Sequence, residues 1–269
     1  MKTQVGKQSK MQHETLEHLV EKYNHPDFIE NDPISIPHQF SKLQDIEIIG
    51  FWVAMLSWGQ RSTIISKSTE LLELMGNTPH DFVLNYQESD LKPFLKWKHR
   101  TFQPTDTLYF LDFFKRYYTK NHSLELAFAK HLSEADQHVG KALEGFHQLF
   151  FDHENAPKRT RKHVATPARK STCKRLNMFL RWMVRRDNKG VDLGLWQRIK
   201  PSQLLMPLDV HVDRVARKFN LIERKQTDWQ TVLELTEKLR QFDSNDPVKY
   251  DFALFGYGLE MKKNTIQDL

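Results

Sequence analysis

The chain has 269 residues and a net charge of +6, with 39% hydrophobic and 12% aromatic residues, enough apolar material for a core and too much for disorder. Ten glycines and scarce β-branched alternation argue against an all-β fold, so helices are expected throughout. The single cysteine, Cys173, excludes a disulfide framework, a cysteine-rich zinc site and a four-cysteine iron–sulfur cluster, and fits a reducing cytoplasm.

Along the chain, residues 1 to about 12 read as a frayed tail and His13 to Tyr23 as a short helix with Leu16, Leu19 and Val20 on one face. Asn31-Asp32-Pro33 and Pro37 break the chain. Ser41 to Trp58 is apolar nearly all round, the pattern of a central buried helix. After the polar corner Gly59-Gln60-Arg61-Ser62, a second helix runs to a Gly76-Asn77 stop, and Thr78-Pro79 starts a third. Thr105 or Asp106 caps a helix through Tyr118, and Leu124 to Phe151 holds one or two more.

Asp152 to Thr172 is polar, basic and proline-punctuated, as in an exposed connection. Ser171 or Thr172 then caps a helix whose Leu176, Phe179, Leu180 and Met183 follow helical spacing, and Asp209 caps another carrying Val212, Val215, Ala216 and Phe219. Trp229 to Phe242 and Pro247 to Glu260, with Asp246 as its cap, complete the set. The expected organisation is an N-terminal tail and short helix (1–40), a helical lobe (41–151), a basic exposed connection (152–170) and a second helical lobe (171–269). The longest apolar run, Ile48 to Leu56, falls far short of the roughly 20 residues that span a bilayer. No apolar stretch follows the basic N-terminus, so no signal peptide and no membrane association are expected.

Charge is unevenly placed. Twelve basic residues and one acid lie between Lys158 and Lys189, a local +11, leaving 28 basic against 33 acidic residues elsewhere, a net of −5. Such a stripe on an acidic body suits a polyanion, nucleic acid ahead of a membrane surface. The plainer alternative is a solvated loop followed by a helix with a basic outer face.

Two residues inside or beyond that stripe carry chemistry. Lys174 opens a helix, where the positive end of the helix dipole together with Lys170 and Arg175 should lower its pKa; a lysine so placed is a candidate amine nucleophile, or simply an exposed or phosphate-binding side chain. Asp209 is first of all an N-cap, although a carboxylate there can also face a cleft and stabilise positive charge. The 13 histidines include no HExxH pair, so no metal and no other cofactor is expected. Trp52, Trp58, Trp182, Trp196 and the aromatic residues of 250–257 read as core, and Asp251 either faces the same cleft or has an exposed or capping role.

Leu56-Ser57-Trp58-Gly59-Gln60-Arg61-Ser62-Thr63, then a helix, Gly76-Asn77-Thr78-Pro79 and another helix, resembles the corresponding region of endonuclease III and its relatives, the helix-hairpin-helix DNA glycosylases. Lys174 with Asn177, and Pro207-Leu208-Asp209-Val210-His211-Val212, are similar to the lysine and aspartate helix starts of that superfamily. The likeness covers residues 45–82 and 166–260. It implies an all-α, two-lobed fold acting on damaged duplex DNA, with some similarity to archaeal 8-oxoguanine glycosylases. In place of the glycine-rich hairpin that grips a phosphate stands Ala165-Thr166-Pro167-Ala168-Arg169-Lys170-Ser171-Thr172.

By that resemblance Lys174 attacks C1′ of a flipped nucleotide, Asp209 stabilises the developing charge, and Gln60 fills the gap in the duplex. Arg61, Arg159, Arg161, Lys162, Arg169, Lys170, Arg175 and His211 then contact DNA. Two other readings stay open: a nucleic-acid-binding protein that has lost the chemistry, and a helical scaffold whose stripe meets an acidic protein.

Overall fold

The computed structural model describes residues 2–267, and side chains for residues 10–262. Among the described residues the chain is all-helical, its one strand-like feature an isolated bridge between His99 and Phe102. The helices are α1 (Lys2–Tyr23), α2 (Asp27–Glu30), α3 (Leu43–Leu56), α4 (Arg61–Leu74), α5 (Pro79–Asn85) and α6 (Pro104–Tyr118). They continue with α7 (Glu125–Ala129), α8 (Gly140–Phe150), α9 (Lys174–Val184), α10 (Val210–Lys218), α11 (Trp229–Arg240) and α12 (Tyr250–Gln267). Short 3-10 turns join several of them.

Helix α3 is the axis of the molecule, with every residue from Asp45 to Leu56 buried. Its Phe51 ring meets those of Phe110, Phe114, Phe146, Phe150 and Phe179 at centroid distances of 5.3 to 6.0 Å, which ties α6, α8 and α9 to it. One carboxylate, Glu47, sits inside that core. Burial pushes its pKa up, and four donors answer its charge: Ser123 Oγ at 2.6 Å, Trp196 Nε1 at 2.7 Å, Tyr118 OH at 2.9 Å and the Leu124 amide at 3.0 Å. A buried charge survives when its lone pairs are filled in this way, and here it pins the α6–α7 connection and the 191–200 loop to α3. Around this axis α9 packs on α3, while α1 and α10 pack on α12, and one continuous cluster of buried side chains runs from Leu16 to Leu254.

Several sequence expectations change. The N-terminal stretch read as a tail is helical from Lys2, since Lys, Gln and Met favour helices and Gly6 alone does not stop one. The interval 124–151 holds two helices. Residue Gln103, not Thr105 or Asp106, caps α6; Asp106 reaches back to the Gln103 amide at 2.8 Å from the first turn. Asp246 makes no side-chain cap, because its carboxylate is drawn 2.8 Å from Arg185 Nε. The connection 152–170 is not exposed throughout: it folds into turns at Lys158–Lys162 and Pro167–Arg169, which bury Thr160, His163, Val164, Thr166 and Pro167. Trp52, Trp182 and Trp196 are core, whereas Trp58 is half-buried under the Arg175 guanidinium, 5.0 Å from its ring.

Candidate active site

The entry to α9 is built without glycine. Thr166 caps the turn Pro167–Arg169, Lys170 takes a left-handed conformation (φ 57°), and Cys173 takes another (φ 50°) immediately before Lys174. Non-glycine residues pay for such a φ of the order of 1 kcal/mol, and so must be held there. Here the holding bonds are the Lys170 amide to the Pro167 carbonyl (2.7 Å), the Trp229 amide to the Lys170 carbonyl (3.1 Å), and the Cys173 amide to Ser171 Oγ (3.2 Å). Asn177, buried one turn into the helix, donates to the Thr172 carbonyl at 3.1 Å. The N-cap is therefore Cys173, not Ser171 or Thr172, and Asn177 braces the strained turn that aims Lys174.

Lys174 is the first residue of α9, and its side chain is half-buried. Among the described residues its ammonium makes no hydrogen bond and lies more than 4.0 Å from every carboxylate oxygen. Three carboxylates face it from a distance: Asp209, Asp251 and Asp32. Burial depresses the lysine pKa more strongly than these charges raise it, and Arg175 pushes in the same direction as burial. The direction agrees with the sequence reading, but desolvation is its main cause.

Each carboxylate is fixed by a separate element. Asp209 caps α10, its Oδ1 accepting from the amides of His211 (2.8 Å) and Val212 (2.9 Å). Asp32 caps the turn Pro33–Ser35, accepts from the Ile34 amide at 3.2 Å, and lies 3.5 Å from Arg61 Nη2. Asp251, in the first turn of α12, is buried and paired with Arg181 from α9. Burial, with help from the charges of Asp209 and Asp192, pushes the Asp251 carboxyl up to about 6 despite Arg181 and Lys174. Arg61, the first residue of α4, closes this side of the site, its guanidinium over the rings of Phe255 (4.8 Å) and Phe28 (5.6 Å). Gln60, next to it, holds the N-cap position of α4 without a side-chain cap bond and is exposed. Gly59 is required before it: its φ is 106°, and a Cβ there would meet Arg100 Nη1 at 2.4 Å.

His211 stands edge-on to Phe255 at 6.0 Å with Nδ1 buried and unpartnered. Burial lowers its pKa, as do Arg214, Lys262 and Arg61, against the pull of Asp209. The structure thus gathers Lys174, Asp209, Asp251, Asp32, Arg61 and His211 into one electrostatic neighbourhood.

Other sequence candidates are dispersed. The basic stripe is not one solvent-facing surface. Arg181 and Arg185 are buried and bound to Asp192, Asp251, Asp187 and Asp246. Arg159 serves the buried Asp106, and Arg175 donates to the carbonyls of Met55 (2.6 Å) and Lys162 (3.2 Å). Arg175 loses easy protonation with burial, falling to about 10. Left exposed are Lys158, Lys162, Arg169, Lys170 and Arg186, with Arg161 half-buried against Phe151 at 4.7 Å. The sequence carried a sign of the interior arginines. Arg181 falls between Leu180 and the apolar run Trp182-Met183-Val184, which marks it as a buried position but does not name its partner. Asp32 was missed because one aspartate before a proline announces a cap and nothing more.

A family described as protein of unknown function (DUF2400) matches residues 32–260. No curated protein and no solved structure matches the chain.

Proposed function

We propose that this chain, which belongs to the DUF2400 family, is a DNA-repair glycosylase with abasic-site lyase activity. The observation that carries the reading is the Lys174 amine. It is unpaired, partly accessible, lowered in pKa by burial, held at a helix start, and close enough to the capping Asp209 to feel its charge.

In this reading a nucleotide turned out of the duplex enters beside Lys174. The neutral amine attacks C1′; the bond from C1′ to the base breaks, and the base leaves with that electron pair and takes a proton from solvent. The attached nitrogen then gives up one proton, O4′ takes one as the C1′–O4′ bond opens to an iminium, and loss of a C2′ proton to water expels the 3′ phosphate and cleaves the strand. Asp209, fixed by two amides and so unable to swing away, stabilises positive charge on the sugar. A nucleophile of this kind needs its free-base form, so lysine burial favours the reaction. Gln60, presented exposed by the Gly59 corner, is the residue that enters the gap left in the duplex. Exposed Lys162, Arg169 and Lys170 hold flanking phosphates.

Trapping with sodium borohydride on duplexes bearing abasic or damaged sites tests this. Wild-type protein should yield a covalent adduct and Lys174→Gln should not.

One observation favours a second reading. Three carboxylates facing one lysine also suit a buried counter-ion in a nucleic-acid-binding protein without catalysis. In that case Lys174→Gln melts well below wild type, and DNA binds with a steep salt dependence but is never trapped.

A further inference from the structure

A basic cleft of about 630 Å3 lies between the end of α7, α8 and the turn Lys158–Lys162. Lys130, His131, His147, Gln148, Phe151 and Arg161 line it, with Asp152 the one carboxylate among its lining residues. Its cations are unused: among the described residues neither the Lys130 ammonium nor the Arg161 guanidinium makes a hydrogen bond or an ion pair. Arg161 lies over the Phe151 ring at 4.7 Å, which anchors the guanidinium by its face and leaves its N–H edge free.

The two imidazoles are unpartnered as well. His147 is 8% exposed, and the Nε2 atoms of both His147 and His131 are buried without a hydrogen-bond partner. Buried polar atoms are ordinarily satisfied, so two such nitrogens in the wall of one cleft point to an outside acceptor. Gly145 adds that the arrangement is built. It lies inside α8, where glycine weakens a helix, and a Cβ there would fall 2.3 Å from the His131 ring. The glycine lets that ring lie flat on the helix, two residues before His147.

We infer that this cleft binds a phosphoryl group. A carboxylate offers two oxygens; the guanidinium fork, the ammonium and the imidazole N–H groups supply more donors, and a phosphate has three free oxygens and close to two charges to meet them. Burial, then the charges of Arg161 and Arg169, depresses the His147 imidazole to about 4, so it stands neutral and keeps one N–H to donate. None of its lining residues is among those gathered around Lys174, and phosphate occupancy is measurable without DNA or turnover.

Imidazole NMR spectra of the full chain, titrated with inorganic phosphate at constant ionic strength, test the assignment. His131 and His147 resonances should shift saturably. Arg161→Gln should weaken the apparent affinity about tenfold, the loss of one charge-assisted contact, with melting unchanged. Gly145→Ala should do likewise by displacing His131, and Lys174→Gln should leave phosphate binding as it is. A 5′-phosphorylated oligonucleotide that competes with phosphate assigns the group to a nucleic-acid strand; if it does not compete while phosphate binds, the ligand is a small phosphorylated molecule. No saturable shift, or equal affinity in Arg161→Gln, overturns the proposal.

Discussion

Cap and catalyst make different demands on Asp209. Asn accepts backbone amides nearly as well as Asp, so Asp209→Asn should melt close to wild type, whereas Asp209→Ala, which loses the cap, should cost about 1 kcal/mol. If the carboxylate also stabilises charge on a sugar, both variants lose turnover; a mere cap leaves the asparagine variant fully active. Cys173 offers an independent check on the neighbouring backbone. Burial pushes its thiol up to about 12, so the native protein should not react with iodoacetamide at pH 8, and modification should follow only unfolding. Rapid labelling in the native state would mean that the turn carrying Lys174 is open.

Among the helices, α6 illustrates how one residue links elements. Asp106 is fully buried, bonded to Thr160 Oγ1 at 2.7 Å, 3.3 Å from His163 Nε2, and paired with Arg159. Burial raises its pKa, but the nearby His163 imidazole and the bonds from the Gln103 amide and Thr160 outweigh this and hold it at about 2, below the ordinary 3.8. A lowered folded-state value stabilises above the unfolded pKa and is lost as pH falls through the folded one. Asp106 should therefore contribute of the order of 1–2 kcal/mol, after solvent screening, at neutral pH, and lose it between about pH 4 and pH 2. Urea midpoints measured across that range should fall with pH by this extra amount in wild type and not in Asp106→Asn; parallel curves would rule the clamp out.

Helix content and most helix positions were legible in the sequence because periodicity and proline or glycine punctuation are local signals. Lys174 at a helix start and Asp209 as a cap were legible for the same reason. Asp106 was legible only as a helix-start residue, because its partners lie 53 to 57 positions away along the chain. The interior salt-bridge network of α9, Glu47 within α3, and the company of Asp32 and Asp251 around Lys174 depend on which helices cross, which no local pattern states.

At the scale of the molecule, the +11 segment divides between an internal scaffold and an outer surface. Only the outer part can release counter-ions. Neutralising Lys162 or Lys170 should each reduce the slope of log affinity against log salt by about 0.9 on duplex DNA, while a variant of the half-buried Lys174 should leave the slope unchanged. Equal slopes in all these variants would place the DNA elsewhere on the surface, or nowhere.

The most direct measurement is peptide mapping by mass spectrometry of a borohydride-reduced adduct between the full chain and a duplex bearing one abasic site. A reduced deoxyribose remnant on Lys174, absent from Lys174→Gln, is the expected result. Failure to form an adduct on any abasic or damaged duplex, or an adduct on an exposed lysine such as Lys170 that persists in Lys174→Gln, would contradict the assignment of Lys174 as the nucleophile.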